Sequence, residues 1–270
     1  MSNAGGGFAG APASYYALYR RDVPDALIER VVRAVGLTDH DVVLDLGCGT
    51  GQVALPLSHY VDAVLAVDPE PNMLAGLRAR LATMEAGNVL PALAADRDLA
   101  VIATIFGASL GAVSVGNALH WMDTARVVAQ CRALLRLGGA LIIISQGPPM
   151  WLADSAWSRE LRGYLENWTD EAVSAMCGTD RATLAQRACG LRECGYEPVE
   201  IVEHVYENEV DLMYVAGHLR SAMSESTLPP EREAEFQAGL NDALRSHLEH
   251  GPLIERIEAT ALIGIADTPV

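Results

Sequence analysis

Short unbroken runs of apolar residues recur along the first 150 residues, and most are followed by a stretch whose apolar positions fall three or four apart. VVLDLG (42–47), AVLAVD (63–68), NVLPALAAD (88–96), GAVSVGNAL (111–119) and ALIIIS (140–145) have the length and continuity of strands buried on both faces. Between them, PDALIERVVRAV (24–35) begins with a proline suited to a first helical turn and stops at Gly36. VALPLSHYV (53–61), PNMLAGLRARLATM (71–84) and TARVVAQCRALLRLGG (124–139) have helical spacing, the last closed by Gly138 and Gly139. Strands alternating with helices in this way predict an α/β fold with a mostly parallel, doubly wound sheet.

The rhythm changes after residue 146. Residues 151–195 carry tryptophans in a mostly helical pattern, PVEIVEHVYENEV (198–210) alternates like a strand, 211–250 is helical again, and IERIEATALIGIAD (254–267) is a last strand. The expected organisation is a flexible arm over 1–14, a core over 15–146, a helical lid over 147–197, and C-terminal core strands with a helical insertion over 198–270. That makes a seven-stranded sheet with helices on both faces.

Composition narrows the chemistry. Half of the 270 residues are hydrophobic, and no apolar run reaches the roughly 18–20 residues of a membrane span. The N-terminal stretch has no charged and apolar signal pattern, so no secretory signal is expected. Five cysteines (Cys48, Cys131, Cys177, Cys189, Cys194) are irregularly spaced, which argues against a disulfide framework or a structural zinc and for a reducing cytoplasm. All 19 basic residues are arginine, which excludes Schiff-base chemistry on a protein lysine. A net charge of −16 argues against nucleic acid as a partner. The charge is uneven: residues 1–150 hold 13 acids and 10 arginines, residues 151–270 hold 22 acids and 9 arginines.

DLGCGTG (45–51) stands at the carboxyl end of the first strand, where open α/β sheets bind ligands. Gly47, Gly49 and Gly51 allow a tight turn with bare N–H groups. The dinucleotide pattern GxGxxG would need glycine at 52, which is Gln52; the spacing here is GxGxG. About 20 residues on, the second strand ends in Asp68, a carboxylate placed to accept ribose hydroxyls. These residues, with AVLAVDPEPNML, the ALHWMD box (118–123) and LLRLGGALIIIS, resemble the class I S-adenosylmethionine-dependent methyltransferases. YRRDVPDAL (19–27) is similar to an N-terminal element of their small-molecule, natural-product branch. The resemblance runs from about residue 15 to 145 and implies a Rossmann-like fold with S-adenosyl-L-methionine as cofactor. It implies that Asp45, Gly47, Cys48, Gly49 and Gly51 line the methionine moiety, and that Asp68 binds the ribose. Pro69 and Met73 would flank the adenine, Asp96 and Arg97 would reach its amino group, and Asn117, Tyr16 and Arg20 would complete the cofactor site. DLAVIATIFGASLGAVS departs from the family pattern before the fourth strand.

Methyl transfer needs alignment of acceptor and methyl, and a base when the acceptor carries a proton. His120 is the candidate catalytic residue, as base or orienting group; a packing role in the HWMD turn is the alternative. Tyr15, Trp121, Met122, Trp151 and His204 are candidate substrate contacts. Trp157, Tyr164 and Trp168 could form a lid, but their spacing favours a helix packed on the sheet. His204 lies in an acidic cluster with Glu203, Glu207, Glu209 and Asp211. His247 and His250 lack the company of a zinc site, and no metal is expected. The acid-rich second half points to a polycationic acceptor such as an aminoglycoside or aminosugar, methylated on nitrogen. The alternative is O-methylation of a phenol, carboxylate or polyketide-type acceptor. No membrane partner is expected, and the chain is a monomer or homodimer.

Overall fold

A computed structural model describes residues 11–84, 86–173, 178, 180–224 and 226–267. The apolar runs become seven strands: β1 (Val42–Leu46), β2 (Ala63–Asp68), β3 (Val89–Leu93), β4 (Leu110–Gly116), β5 (Leu135–Gly147), β6 (Val199–Val210) and β7 (Leu253–Ala266). They form one sheet in the order β3-β2-β1-β4-β5-β7-β6. β1 pairs in parallel with β2 and β4, β2 with β3, and β4 with β5. Glu197 N–H donates to Ile265 O and Ile265 N–H to Pro198 O, so β6 begins where β7 ends and the two run antiparallel. The chain leaves β1 toward β2 and β3, then crosses to β4 on the other side. That reversal opens a crevice at the carboxyl ends of β1 and β4.

The helices are α1 (Ala11–Tyr19), α2 (Asp25–Val35), α3 (Ala54–Leu57), α4 (Pro71–Leu81), α5 (Leu99–Phe106), α6 (Thr124–Cys131), α7 (Ala156–Thr169), α8 (Arg181–Glu193), α9 (Leu212–Ala222) and α10 (Glu233–Leu248). In α2, Leu27, Ile28, Val31, Val32 and Val35 form the buried stripe that its spacing predicts. Asp123, Ser155, Asp180 and Asp211 accept backbone N–H groups at the starts of α6, α7, α8 and α9. Each such cap stabilises by about 1 kcal/mol.

The helix expected over 53–61 shortens to Ala54–Leu57, and the one expected over 124–139 fails for an identifiable reason. The helix expected over 124–139 stops at Cys131, passes through a 3₁₀ turn, and Leu135 already pairs with Leu110 in the sheet. A Cβ on Gly139 would lie 2.9 Å from Arg136 O and Leu110 O. The glycine pair therefore serves a pinch between strands, where the β4–β5 register shifts, and not a helix cap. The departing segment before β4 contains α5, whose Leu99 and Ile102 are buried while Val101 and Ile105 are exposed.

The chain forms two compact units. One comprises the described residues within Arg21–Gln146, Gly178–His204 and Ala259–Val270. Its core includes Leu44, Leu46, Val113, Val115, Leu141 and Ile143 from the strands and Val127, Val128 and Leu191 from α6 and α8. The other comprises the described residues within Met1–Arg20, Gly147–Cys177 and Val205–Glu258, with a core of Trp157, Leu161, Val215, Leu219, Phe236 and Leu240. The linear division expected from the sequence is corrected in two places. α8 belongs with the sheet, because Leu191 and Tyr196 join its core and the Tyr196 hydroxyl donates to Val128 O at 2.9 Å. Of the expected arm, residues 1–10 lie outside the described residues, and 11–14 are the start of α1.

Asp41, just before β1, holds the amino edge of the sheet. Its carboxylate accepts Thr38 N–H at 2.8 Å and Arg136 Nε at 2.7 Å. Burial pushes its pKa up, but the bonds to Arg136 and Thr38 outweigh burial and hold it below its ordinary value. Its stabilising contribution is therefore present above pH ~4 and lost as pH falls through the lower folded value. Asp41→Asn is expected to cost about 1–3 kcal/mol at pH 7 in urea denaturation. That deficit should shrink below about pH 3; a deficit constant with pH would contradict the ion-pair account.

Candidate functional site

β1 delivers the chain into Gly47–Gly51, and the loop is pressed between neighbours that leave no room for side chains. A Cβ on Gly47 would stand 2.8 Å from Ala118 Cβ and 2.9 Å from Met122 Cε. One on Gly51 would stand 2.6 Å from Leu77 Cδ1 of α4. Both glycines also have positive φ, 71° and 94°. Behind the loop, Arg80 donates to Thr50 O at 3.0 Å and pairs with Asp22 at 2.6 Å.

Asp68 closes β2 beside this loop. Its Oδ2 accepts Gly49 N–H and its Oδ1 accepts Glu70 N–H, both at 2.9 Å. Burial raises its pKa, while the two N–H groups pull it down. Each carboxylate oxygen has a further lone pair, a pattern that suits vicinal hydroxyls. Asp45 is fully buried in β1: Ser114 Oγ donates to Oδ1 at 2.8 Å, and Oδ2 is buried without a hydrogen-bond partner among the described residues. Burial pushes its pKa up to about 7. Cys48 is buried as well, and burial together with Asp45 and Asp68 drives its thiol far above the usual range, so it is no nucleophile.

On the expected adenine side, Met73 is buried in α4 and Pro69 is exposed. Asp96 is half-buried and ion-paired with Arg126, while Arg97 is exposed. Arg126 escaped the sequence reading because α6 carries no local pattern that marks it. At the end of β4, Asn117 adopts φ 48°, its Oδ1 accepting Gln146 N–H at 3.0 Å. It fastens the carboxyl ends of β4 and β5 to each other. A 3₁₀ turn follows (Leu119–Trp121), with the His120 ring exposed and 5.0 Å from that of Trp121. Surrounding protein lowers the His120 pKa, and the Arg187 guanidinium of α8 lowers it further. Arg187 is the second residue that the sequence reading missed. Trp121 is 64% exposed, whereas Met122 is half-buried under Gly47.

His204 is a correction. It stands on the edge strand β6, four strands from β1 and so about 19 Å across the sheet from the glycine loop. Glu203, Glu207 and Glu209 line the exposed face of that strand, and Asp211 caps α9. The remaining predicted residues fall in the other compact unit. There Arg20 Nε donates to Ser221 Oγ at 2.7 Å with its guanidinium 5.2 Å from the Tyr16 ring, and Tyr15 stacks on Tyr19 at 5.9 Å. Trp151 meets His218 edge-on at 6.4 Å. Trp157, Tyr164 and Trp168 are packing residues of that core, donating to Ile254 O, Phe236 O and Thr227 O.

The Asp45 carboxyl makes stability depend on pH. Its folded pKa lies above the ordinary 3.8, so between about 4 and 7 the native state keeps a proton that the unfolded chain releases. Stability of the cofactor-free protein should fall as pH rises through that window, by up to about 4 kcal/mol from this group. Urea denaturation from pH 4.5 to 8 should show the decline, and Asp45→Asn should flatten it. A wild-type profile that rises or stays level would contradict the assignment.

The comparisons agree with this geometry. Residues 43–139 match a family model described as a methyltransferase domain. An uncharacterized methyltransferase of Mycobacterium tuberculosis is 38% identical over 102 residues, as is one of Mycobacterium bovis, covering 38% of this chain and 38% of each relative. The chain thus spans about two fifths of the length of these curated relatives. A putative type II methyltransferase from Anaeromyxobacter dehalogenans has the same fold (TM-score 0.61, 19% identity, 93% of this chain and 100% of that one). So does the [4+2]-cyclase SpnF (TM-score 0.51, 17% identity, 91% of this chain and 81% of that one). The family and fold imply a cofactor of the S-adenosylmethionine type, and the bare loop beside Asp68 fits one. Residues 43–139 thus match a methyltransferase domain, and the fold around them is one that a solved putative methyltransferase shares.

Proposed function

We propose that this chain methylates an oxygen of a small phenolic, enolic or carboxylic acceptor held beside His120, with S-adenosylmethionine as donor. Gly47, Gly49 and Gly51 would cradle the methionine moiety, with Asp45 and Cys48 behind them. Asp68 would accept the ribose hydroxyls. Met73 and Pro69 would flank the adenine, and Asp96, held by Arg126, would face its amino group. When bound, the cofactor supplies a methyl whose C–S bond breaks as the new O–C bond forms, the sulfur keeping the electron pair. His120 would take the proton of a phenolic or enolic acceptor, whereas a carboxylic acceptor is already ionised at pH 7 and would need only to be oriented.

The observation that carries the choice of oxygen is the Arg187 guanidinium close enough to His120 to depress its pKa. A histidine neutral at pH 7 can act as base, and a fixed positive charge beside it stabilises an oxyanion and repels an ammonium. The cationic-acceptor reading rests on composition. Many of the acids in the second half are instead engaged elsewhere: Asp154, Glu233, Glu235, Asp242 and Glu258 pair with arginines, and Asp180 and Asp211 cap helices. No helix among the described residues is long and apolar enough to cross a membrane. Free thiols at Cys48, Cys131, Cys189 and Cys194 suit a cytoplasmic enzyme. SpnF shows that this fold also hosts other reactions, so activity is the necessary test.

Labelled methyl from S-adenosylmethionine, offered with phenols, hydroxy acids and aminoglycosides, should appear on the oxygen acceptors; label confined to amines would overturn this reading. His120→Asn should lower kcat by about 10²–10⁴ while leaving cofactor affinity unchanged. Because the base form is required, the rate should rise with pH through an inflection that lies below the ordinary histidine value of 6.5. Arg187→Gln should move that inflection upward, and an unmoved inflection would exclude the guanidinium from the site.

A further inference from the structure

A groove that no assignment above uses lies between α6 and α8, with a volume of about 620 Å³. That is the size of a small-molecule site. Its walls set the small apolar residues Ala125 and Val128 of α6 and Gly190 of α8 beside Thr124, Thr183, Gln186 and Glu193. The floor is the sheet itself, at Ile143 of β5. The two helices thus leave a slot reaching down to a strand that is otherwise buried, and nothing bulkier than Val128 narrows the α6 wall. Cys189 also lines it.

The slot has a polar end. Arg187 lines it and donates from Nη1 to Ser145 Oγ at 3.2 Å. Ile143 and Ser145 are two apart on β5 and so face the same side of the sheet. Moving along the strand from Ile143 to Ser145 goes toward its carboxyl end, where Asn117 ties β4 to β5 and His120 follows. The same guanidinium therefore serves both as the head of the groove and as the charge beside His120. Glu193 lines the groove too, six residues and about 9 Å farther along α8, so cation and carboxylate are separated and the acidic group of a ligand is directed to the Arg187 end.

We propose that this groove holds the body of the acceptor: a flat, fused-ring aromatic acid or phenol whose rings slide between α6 and α8 over Ile143, and whose ionised oxygen group meets Arg187 and His120. This rests on the O-methyltransferase reading and goes beyond it by naming the shape of the substrate and the residues that select it. Arg187 selects the acidic group, and the open space beside Gly190, where an added Cβ meets nothing within 4 Å, leaves room for the rings.

The test reads binding and turnover separately. The probe is 3-hydroxy-2-naphthoic acid, followed by its own fluorescence anisotropy on the full chain. Gly190→Leu fills the slot from one wall without a backbone clash and replaces a helix-weakening residue, and Ala125→Leu fills it from the other. Saturable binding to the wild type is expected, weakened about tenfold or more by either filling variant and by Arg187→Gln. 2-Naphthylamine should bind poorly throughout. The probe should also slow alkylation of Cys189 at pH 8.5, while S-adenosylhomocysteine affinity stays unchanged in the filling variants. Absence of saturable probe binding to the wild type up to about 1 mM, or equal binding to the filled variants, overturns the groove assignment. If label transfer to some other acceptor proceeds equally in the filled variants, the methyltransferase reading stands and the groove proposal falls. Probe binding to the groove with no transfer to any oxygen acceptor would keep the groove as a binding site and overturn its place in the reaction.

Discussion

One buried carboxylate organises the glycine-loop side of this protein. Asp68 is drawn out of water at the end of β2, and its two oxygens are held by the N–H groups of Gly49 and Glu70. The first bond reaches back across 19 residues to the glycine loop, so the loop after β1 and the turn after β2 are set by the same side chain. An ionised group in that position is costly unless its lone pairs are met. The Glu70 N–H also belongs to the residue immediately preceding α4, so the carboxylate fixes where that helix begins. The loop in turn needs Gly47 and Gly51, because Ala118, Met122 and Leu77 occupy the space that side chains would take. A side chain at Gly47 would meet Ala118 Cβ, and at either glycine the positive φ would be strained as well.

That arrangement also places the turn that carries His120. With the loop pinned against Ala118 and Met122, the turn bearing His120 stands next to the mouth of the crevice, fastened to β5 through Asn117. The positive φ of Asn117 is strain held by its own side-chain bond to Gln146 N–H and by its backbone bond to Ile144 O. α8 then contributes the charge. Its apolar stripe packs on α6 through Ala188 and Leu191, and that packing carries Arg187 to the end of β5. The packing of Ala188 and Leu191 and the position of the Arg187 charge are consequences of a single placement.

Much of this was legible in the sequence, because its cause is local. A glycine loop after an apolar run, an acid at the end of the next run, and helices with periodic apolar faces announce themselves at fixed spacing. The seven strands and their mostly parallel arrangement follow from the same signals. The failures share a different cause. Gly138 and Gly139 mark the end of an element in either reading, and only the pairing of Leu135 with Leu110 decides for a strand. Arg126 and Arg187 acquire their roles from partners 30 and 42 residues away, Asp96 and Ser145. His204 shows the converse: an acid-rich neighbourhood in sequence became the exposed face of an edge strand. The excess of acids was real, but the fold spends many of them on helix caps and arginine pairs.

The central claim is that the Gly47–Gly51 loop and Asp68 form an S-adenosylmethionine site. Calorimetric titration of the full chain with S-adenosylhomocysteine tests it most directly, beside Asp68→Asn, which keeps the shape of the side chain and removes its charge. The account predicts one saturable site with micromolar affinity in the wild type, and a loss of at least about tenfold in the variant, as expected for removing a charged acceptor of two hydroxyls. Equal affinity in both proteins, or no binding to the wild type, would contradict it.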